Sequence, residues 1–517
     1  MHVSQPVIRR TSVALLFTLL AASAVAQAAD LPSPWPTSGW QASAPEAQGM
    51  ASSALADLVD FGAARGMDSL LVERHGQVVL DAYYAPFKPG MRHVVNSATK
   101  AIVGTLVGVA LQEGKIGRLD APMLSFFPER KVANVDARKK AITLQNLLDA
   151  TSGLNWHEPD GDGTPGETTV MGPDDDWVGF VLDRPMAQAP GVSFNYNSGT
   201  WHLLSAIIAK QTGSDTLDYA KQKLFAPLGI TDVAWRRSPQ GLPMGGGGLF
   251  MQPCDMAKIG YLYLHGGEWA GRRLLPPGWT DRVFHPQVDM HMEIFRYANG
   301  WWAIPKKHAF MAVGLLRQLI IVLPEIDAVA VVTGREDYPF TELIDRIARA
   351  AKSPTALAAD AAGSARLADR IADAGIEKRS PVAPVPGLAS VVSGKTYRFA
   401  ASTTDIRSMK LDLTSTDPHY EITRGTSAAP DAPAYRIEGP IGLDGLFRLR
   451  DEARQGFAPS VAVKGNWLND SSFQLIVRSL PEGSVTTFVL RFSGSHVDVS
   501  LEDNYGVHAR FEGEASE

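Results

Sequence analysis

The sequence predicts an α+β domain followed by an all-β domain. Over the first two thirds of the chain, strand-like runs gather at both ends with helical patterns between them, which is how one sheet is assembled from two distant pieces of chain. Beyond a proline-rich stretch near residue 380 the hydrophobic period switches to two. The composition supports a folded chain: of 517 residues, 45% are hydrophobic and 20% charged, ordinary values for a protein with a large buried core. The length suggests about three domain-sized units.

The formal charge is 49 − 55 = −6. A mildly acidic chain has no electrostatic reason to hold a nucleic-acid backbone, so nucleic-acid binding is disfavoured. The single cysteine, Cys254, rules out an intramolecular disulfide and any zinc site built on several thiolates. Its neighbours carry no reactive-thiol signature, and it is expected to be a small packing residue. At the N-terminus, Arg9 and Arg10 precede a short apolar run, Val13 to Ala26, and the small-x-small sequence Ala26-Gln27-Ala28. That pattern reads as a secretory signal peptide over residues 1–28, too short to span a bilayer. No cysteine stands near the cleavage point to carry a lipid anchor. An exported protein is expected, periplasmic or secreted, with no membrane anchor after cleavage.

Taken in order, residues 29–48 are rich in Pro, Ser and Ala and read as an extended lead-in. A helix is predicted from Ser52, with Leu55, Leu58 and Phe61 three residues apart. Residues 70–80 read as two strands joined by a turn at His75-Gly76. A helix is predicted over 97–113, with Gly114 placed to cap it. Residues 141–240 read as helices and long loops. The four glycines at 245–248 allow a close approach of backbone to another segment. Strands are expected at 297–303, 308–314, 318–323 and 328–333, a helix at 341–351, and helical structure within the Ala-rich 353–378. Residues 379–392 form the Pro-rich linker. In 393–517, Met409, Leu411 and Leu413, then Phe488, Leu490 and Phe492, then Val497, Val499 and Leu501 alternate with polar residues. That predicts an antiparallel sandwich or barrel.

Several motifs mislead. Gly161-Asp162-Gly163-Thr164-Pro165-Gly166 matches the dinucleotide fingerprint, but it follows no strand and contains a proline. The EF-hand-like run at Asp160 has Met171 where the closing carboxylate belongs. Neither G-x-S-x-G nor H-E-x-x-H occurs, which argues against an α/β-hydrolase and a zinc-helix protease.

The candidate for chemistry is Ser97-Ala98-Thr99-Lys100. One S-x-x-K is expected by chance in a chain of this composition, so its setting has to decide. Ser97 stands at a predicted helix start and Lys100 one turn further along the same face. The helix that follows, Ala101 to Leu111, is apolar nearly all round, so Lys100 enters a desolvated region. Desolvation favours an uncharged amine, and such an amine beside a hydroxyl can act as its general base. Read locally, the alternative is a capping serine with a lysine that snorkels to water.

Taken with later segments, the pattern resembles the penicillin-recognising serine hydrolases: class C β-lactamases, D,D-peptidases, and related esterases and 6-aminohexanoate-dimer hydrolases. Thr151-Ser152-Gly153-Leu154 is similar to the loop after the family's second conserved helix. Tyr196-Asn197-Ser198, within Pro190 to Gly199, resembles its Tyr-x-Asn motif, and Gly245 to Asp255 and Tyr263 to Trp269 resemble later segments. The resemblance covers about residues 40–350 in order. It implies a β-lactamase/transpeptidase-like antiparallel sheet with a helical domain, occupying 29–378, and needs no metal or organic cofactor. It implies Ser97 as nucleophile, Lys100 and Tyr196 as acid/base groups, and the backbone N–H groups of Ser97 and Leu315, after Gly314, as an oxyanion hole. Asn197 and Ser198 join the substrate-binding candidates. Trp156, His157 and Glu158 are further cleft candidates, with ordinary loop residues as the alternative.

Two departures narrow the expectation. Ser198 stands where class C enzymes carry Asn, and Ala312-Val313-Gly314 stands where the third motif carries a cation. Both count against β-lactamase and D,D-peptidase activity and fit better with an esterase or amidase of the 6-aminohexanoate-dimer-hydrolase type; the expected substrate is a small ester, amide or short peptide. A non-catalytic binding protein on the same fold, and a cell-wall module with 393–517 as its binding part, are the rival readings. For 393–517, whose single tryptophan is Trp467, a structural or cleft-covering role is expected.

Overall fold

The structure, a computed structural model, describes residues 35–158, 166–292, 294–400, 405–425, 435–450 and 460–516. The predicted signal peptide and most of the glycine-containing run at 161–166 lie outside them. After a short edge strand, β1 (Gln41–Ala42), helix α1 (Ser52–Ala64) starts where Glu46 accepts hydrogen bonds from the Ser52 amide and hydroxyl, both at 2.8 Å. Strands β2 (Met67–Arg74) and β3 (Gln77–Tyr83) form the predicted hairpin. Both turn residues, His75 and Gly76, take positive φ, the combination that matches strand twist in a two-residue hairpin.

The helical insertion follows, with α2 (Thr99–Gln112), α3 (Ser198–Thr212) and α4 (Pro253–Leu264) as its long members. The chain then returns to the sheet through β4 (Val288–Asp289), β5 (Arg296–Ala298), β6 (Trp301–Ile304), β7 (Ala309–Gly314), β8 (Gln318–Leu323) and β9 (Ala328–Gly334). The nine-stranded order is β1-β3-β2-β9-β8-β7-β6-β5-β4. So β2, from the start of the domain, pairs antiparallel with β9 from its end, Leu70 opposite Val332. The single strand predicted at 297–303 is instead a hairpin, β5 and β6, because Asn299 and Gly300 turn it with positive φ. That turn is pressed on α2: a Cβ on Gly300 would lie 2.7 Å from the Lys100 carbonyl oxygen.

Both sheet faces are buried, which is why the central strands are unbroken apolar runs. Leu319 and Ile321 of β8 face a cluster with Leu55 and Leu58 of α1 and with Leu343 and Ile347 of α5 (Phe340–Ala350). Ile320 and Val322 face the opposite way, toward α4 and the helical insertion. Helix α6 (Ala361–Ala374) lies along α1, joined by the ion pairs Arg366–Asp57 and Arg370–Asp60.

The stretch predicted as linker is shorter than 379–392. Its last residues form a helical turn, α7 (Leu388–Val392), whose Ala389 and Val392 belong to the β-domain core. Apolar side chains at these positions gain more by burial than by staying in a linker. Ten strands follow: β10 (Thr396–Phe399), β11 (Ile406–Asp412), β12 (His419–Arg424), β13 (Tyr435–Pro440), β14 (Arg448–Arg450), β15 (Val461–Asn469), β16 (Ser472–Ser479), β17 (Ser484–Ser493), β18 (His496–Asp503) and β19 (His508–Ser516). Each pairs antiparallel with its chain neighbour except β13 with β14, and β19 pairs with β10. β13 and β14, the two ends of this sheet, come close without being hydrogen-bonded, which gives a barrel-like shape. Inward residues alternate with outward ones, as Met409 and Leu411 opposite Ile422 and Tyr420 show. The predicted β domain is therefore barrel-like, and Trp467 belongs to its core.

The barrel docks on the sheet domain through a small apolar patch, Phe87, Ala462 and Leu480, and through a buried charge cluster. Asp68 of β2 accepts from Arg478 of β16 at 2.7 Å and from Arg335 at 2.8 Å, and His93 Nε2 lies 3.5 Å away. Burial alone would raise the Asp68 carboxyl. Arg478, His93 and Arg335 outweigh it and hold the pKa at about 2.

Candidate active site

The site is built where α2 begins. His93 and Val94 form a short strand paired with Leu249–Met251, and Asn96–Ala98 make one 3-10 turn before α2. Ser97 therefore sits on that turn and not in the regular helix, and Asn96 before it has φ of 46°. Strained backbone of this kind is held by its surroundings. Here the surroundings are β7. A Cβ on Gly314 would fall 2.3 Å from the Val95 carbonyl oxygen and 3.2 Å from the Asn96 Cβ, so a residue without a side chain is required at this contact. Asn96 Nδ2 donates to the Leu315 carbonyl at 3.0 Å. The turn after Gly314, with Leu316 and Arg317 at positive φ, is pinned by Gln318, whose Nε2 donates to the Gly334 carbonyl at 2.7 Å. Leu315 itself is 52% exposed.

Lys100 is 1% exposed. Its Nζ lies 3.1 Å from Ser97 Oγ and donates to the Gly246 carbonyl at 2.8 Å. The same nitrogen stands 4.6 Å from the centroid of the Tyr196 ring. The structure thus brings Ser97, Lys100 and Tyr196 together. The glycine run explains how Gly246 gets there. A Cβ on Gly245 would lie 1.8 Å from the Trp201 carbonyl oxygen, and one on Gly246 would lie 2.9 Å from the Ser198 Cβ. Only bare backbone can pass between α3 and the lysine.

Tyr196 is half-buried, with its ring near Phe194 and Trp302. Asn197 caps α3: its Oδ1 accepts from the Thr200 amide at 2.9 Å, while its Nδ2 has no partner among the described residues. Ser198 lies against Gly246 at the first turn of that helix. The Ser198 amide donates to Glu158 Oε1 at 2.5 Å, and the same oxygen accepts from Trp156 Nε1 at 3.1 Å. A carboxylate at a helix N-terminus is favoured by the helix dipole. Trp156 is accordingly a support and not a cleft wall. It is buried, and a Cβ on Gly199 would meet its ring at 2.5 Å. Its NH is satisfied by Glu158, so its place is under α3.

Sequence reasoning did not identify Asn96, Gly246, Gln318 or Tyr505. Of these only Gly246 had a signal, the glycine run. Tyr505 comes from the barrel, in the β18–β19 turn. Its hydroxyl donates to the Glu482 carbonyl at 2.6 Å and lies 3.4 Å from Asn96 Nδ2. Arg236 pairs with Glu482 at 2.6 Å beside it. The candidate site is thus bordered by both domains. On β7, Ala312 and Val313 are buried and offer no cation next to Gly314.

A family profile described as Beta-lactamase matches residues 51–353. A 6-aminohexanoate-dimer hydrolase of Paenarthrobacter ureafaciens is 25% identical over 290 residues, covering 51% of this chain and 71% of that protein. Esterase EstB of Burkholderia gladioli is 25% identical over 181 residues, 32% of this chain and 46% of its own length. Among solved structures, a putative 6-aminohexanoate-dimer hydrolase from Bacillus anthracis superposes with a TM-score of 0.50 at 20% identity, over 60% of this chain and 85% of that one, a likeness of fold.

Proposed function

The chain belongs to the beta-lactamase family, and from that premise we propose that it is a serine hydrolase that cleaves small esters or amides through an acyl-Ser97 intermediate. The observation that carries this reading is the buried Lys100 amine, 3.1 Å from Ser97 Oγ and anchored by the Gly246 carbonyl. Lys100 Nζ, held by its N–H to the Gly246 carbonyl, stands within reach of the serine hydroxyl. Ser97 Oγ attacks the substrate carbonyl and its proton passes to Lys100. The backbone N–H groups of Ser97 and Leu315 stabilise the oxyanion. As the C–O or C–N bond breaks, Tyr196 relays the proton from Lys100 to the departing alcohol or amine. Water then adds to the acyl group by the reverse proton path, releasing the acid and restoring Ser97.

The missing cation beside Gly314 and the serine at position 198 support an esterase or amidase over a β-lactamase or D,D-peptidase. A substrate carboxylate next to the scissile bond finds no lysine or histidine on β7. The test is a panel of p-nitrophenyl esters, nitrocefin, D-Ala-D-Ala peptides and linear ω-amino-acid amides, run on wild type and Ser97→Ala. Turnover of an ester or amide that disappears in the variant supports the reading. Equal turnover in both, with no fluorophosphonate label on the intact protein, overturns it. We further propose that residues 1–28 direct export. N-terminal sequencing of the protein from cell envelope or medium should then start at Ala29.

A further inference from the structure

We infer that Tyr505, from the barrel, is a positioning residue for hydrolysis: its hydroxyl fixes the Asn96 amide, which ties the nucleophile turn to the turn carrying the Leu315 N–H. The inference rests on the proposed hydrolase reading and adds to it a group that lies 409 positions beyond Asn96 in the chain.

Asn96 precedes Ser97 and stands at φ of 46°, a conformation that asparagine takes more readily than most residues. Its Nδ2 donates to the Leu315 carbonyl at 3.0 Å and to the Tyr505 hydroxyl oxygen at 3.4 Å. Tyr505 gives its own hydroxyl proton to the Glu482 carbonyl at 2.6 Å, so toward Asn96 its oxygen is an acceptor. Both neighbours of the Asn96 amide are therefore acceptors, and only its NH2 end suits them. Turned over, the amide would set its oxygen against two others. The phenol takes the second N–H and leaves the amide one orientation, the one that holds Leu315. That orientation fixes the spacing of the Ser97 and Leu315 amides proposed to receive the oxyanion.

A positioning group must itself be held still. Asn504, the residue before Tyr505, donates through Nδ2 to the carbonyls of Gly483 and Arg335, both at 2.8 Å, and its Oδ1 accepts from the Val485 amide at 2.9 Å. Those bonds link the β18–β19 turn to the turn at Leu480–Glu482 and to the residue after β9. Gly483, at φ of 61°, leaves no slack: a Cβ there would lie 2.8 Å from the Gly334 carbonyl oxygen and 2.9 Å from His93 Cε1. The Gly334 carbonyl is the one that accepts from Gln318 behind the Leu315 turn. On the other side, Arg236, paired with Glu482, donates through its amide to the Gly248 carbonyl at 2.9 Å, two residues past the acceptor of Lys100. The barrel corner is thus tied to the Ser97 turn, the Leu315 turn and the glycine run. The Tyr505 side chain is 36% exposed, so phenylalanine fits the same space and its substitution tests the hydroxyl alone.

The experiment measures kcat and KM for the fastest substrate of the panel on wild type, Tyr505→Phe, Asn96→Gly and the double variant. Glycine keeps the positive φ accessible while removing the amide. Tyr505→Phe should lower kcat about tenfold with KM within about twofold of wild type, because the oxyanion forms in acylation and deacylation alike. The rate of fluorophosphonate labelling should fall in step while the final labelled fraction stays that of wild type; a merely structural role would lower the labelled fraction instead. Asn96→Gly should lose at least as much, and Tyr505→Phe should change nothing further in that background, because the phenol acts through the amide. Wild-type kcat in Tyr505→Phe, a rise in KM at unchanged kcat, or an equal further loss in the Asn96→Gly background overturns the inference and leaves the hydrolase reading intact. A wild-type protein that hydrolyses no ester or amide and takes no label sinks the hydrolase reading and this role with it.

Discussion

Ser97 and Lys100 owe their juxtaposition to a helix start, but their chemistry depends on groups far away in sequence. Lys100→Met keeps the apolar stem and removes the amine, so turnover should fall about 10³-fold while fluorophosphonate labelling slows in parallel; a variant with near-normal kcat would remove Lys100 from the proton path. Glu158 is the second point of dependence. It holds the Ser198 amide and Trp156 Nε1 with one oxygen and the Thr168 hydroxyl with the other. Glu158→Gln should lower stability by about 1–2 kcal/mol, read as a drop in Tm, and should reduce kcat because Tyr196 stands two residues before Ser198. At this scale the sequence was informative where a motif is local. Ser97 and Lys100 are three residues apart, and Tyr196, Asn197 and Ser198 are consecutive. It was silent on Asn96 and Gln318, whose partners lie across the fold, and misleading on Trp156, because an indole near a motif looks the same in a cleft and in a core.

The elements around the site are rigid because glycines let them touch. Gly314→Ala forces a Cβ toward the Val95 carbonyl oxygen, and Gly245→Ala forces one into Trp201. Each should cost roughly 1–3 kcal/mol. Gly314→Ala should lower kcat more than Gly245→Ala, since it displaces the Ser97 turn directly; denaturant melts and kinetics on both variants check this. Most elements were legible because their periods are strong: the buried strands 309–314, 318–323 and 328–334, and the amphipathic helix at 340–350. The hairpin at 296–304 was missed although its turn signal, Asn299-Gly300, is in the sequence. The flanking Tyr297, Trp301 and Trp302 read as one apolar run. The end of the linker was missed for a similar reason, since Leu388 to Val392 is too short for periodicity to speak.

At the scale of the molecule, the barrel and the sheet domain share a buried charge. Asp68 has its pKa lowered to about 2 from an ordinary 3.8, so its contribution to stability, worth about 2 kcal/mol, is complete above pH 4 and is lost as pH falls toward 2. Asp68→Asn should flatten the acid limb of stability against pH between 4 and 2 while lowering stability at neutral pH. Ending the chain at residue 378 would strip Arg478 from Asp68 and uncover Phe87. The truncated protein is expected to lose solubility; a soluble and fully active 29–378 fragment would show that the barrel is an accessory. That residues 393–517 form a β domain could be read from their period of two. That they border the candidate site could not, because docking rests on single residues such as Asp68, Arg478 and Tyr505. The pairing of β2 with β9 has a kinetic consequence. Leu70 waits for Val332, and Ser97, Lys100 and Tyr196 are looped out between them. Closing so long a loop makes the central ladder a late event in refolding, so catalytic competence should return in one slow phase well after the helices have formed.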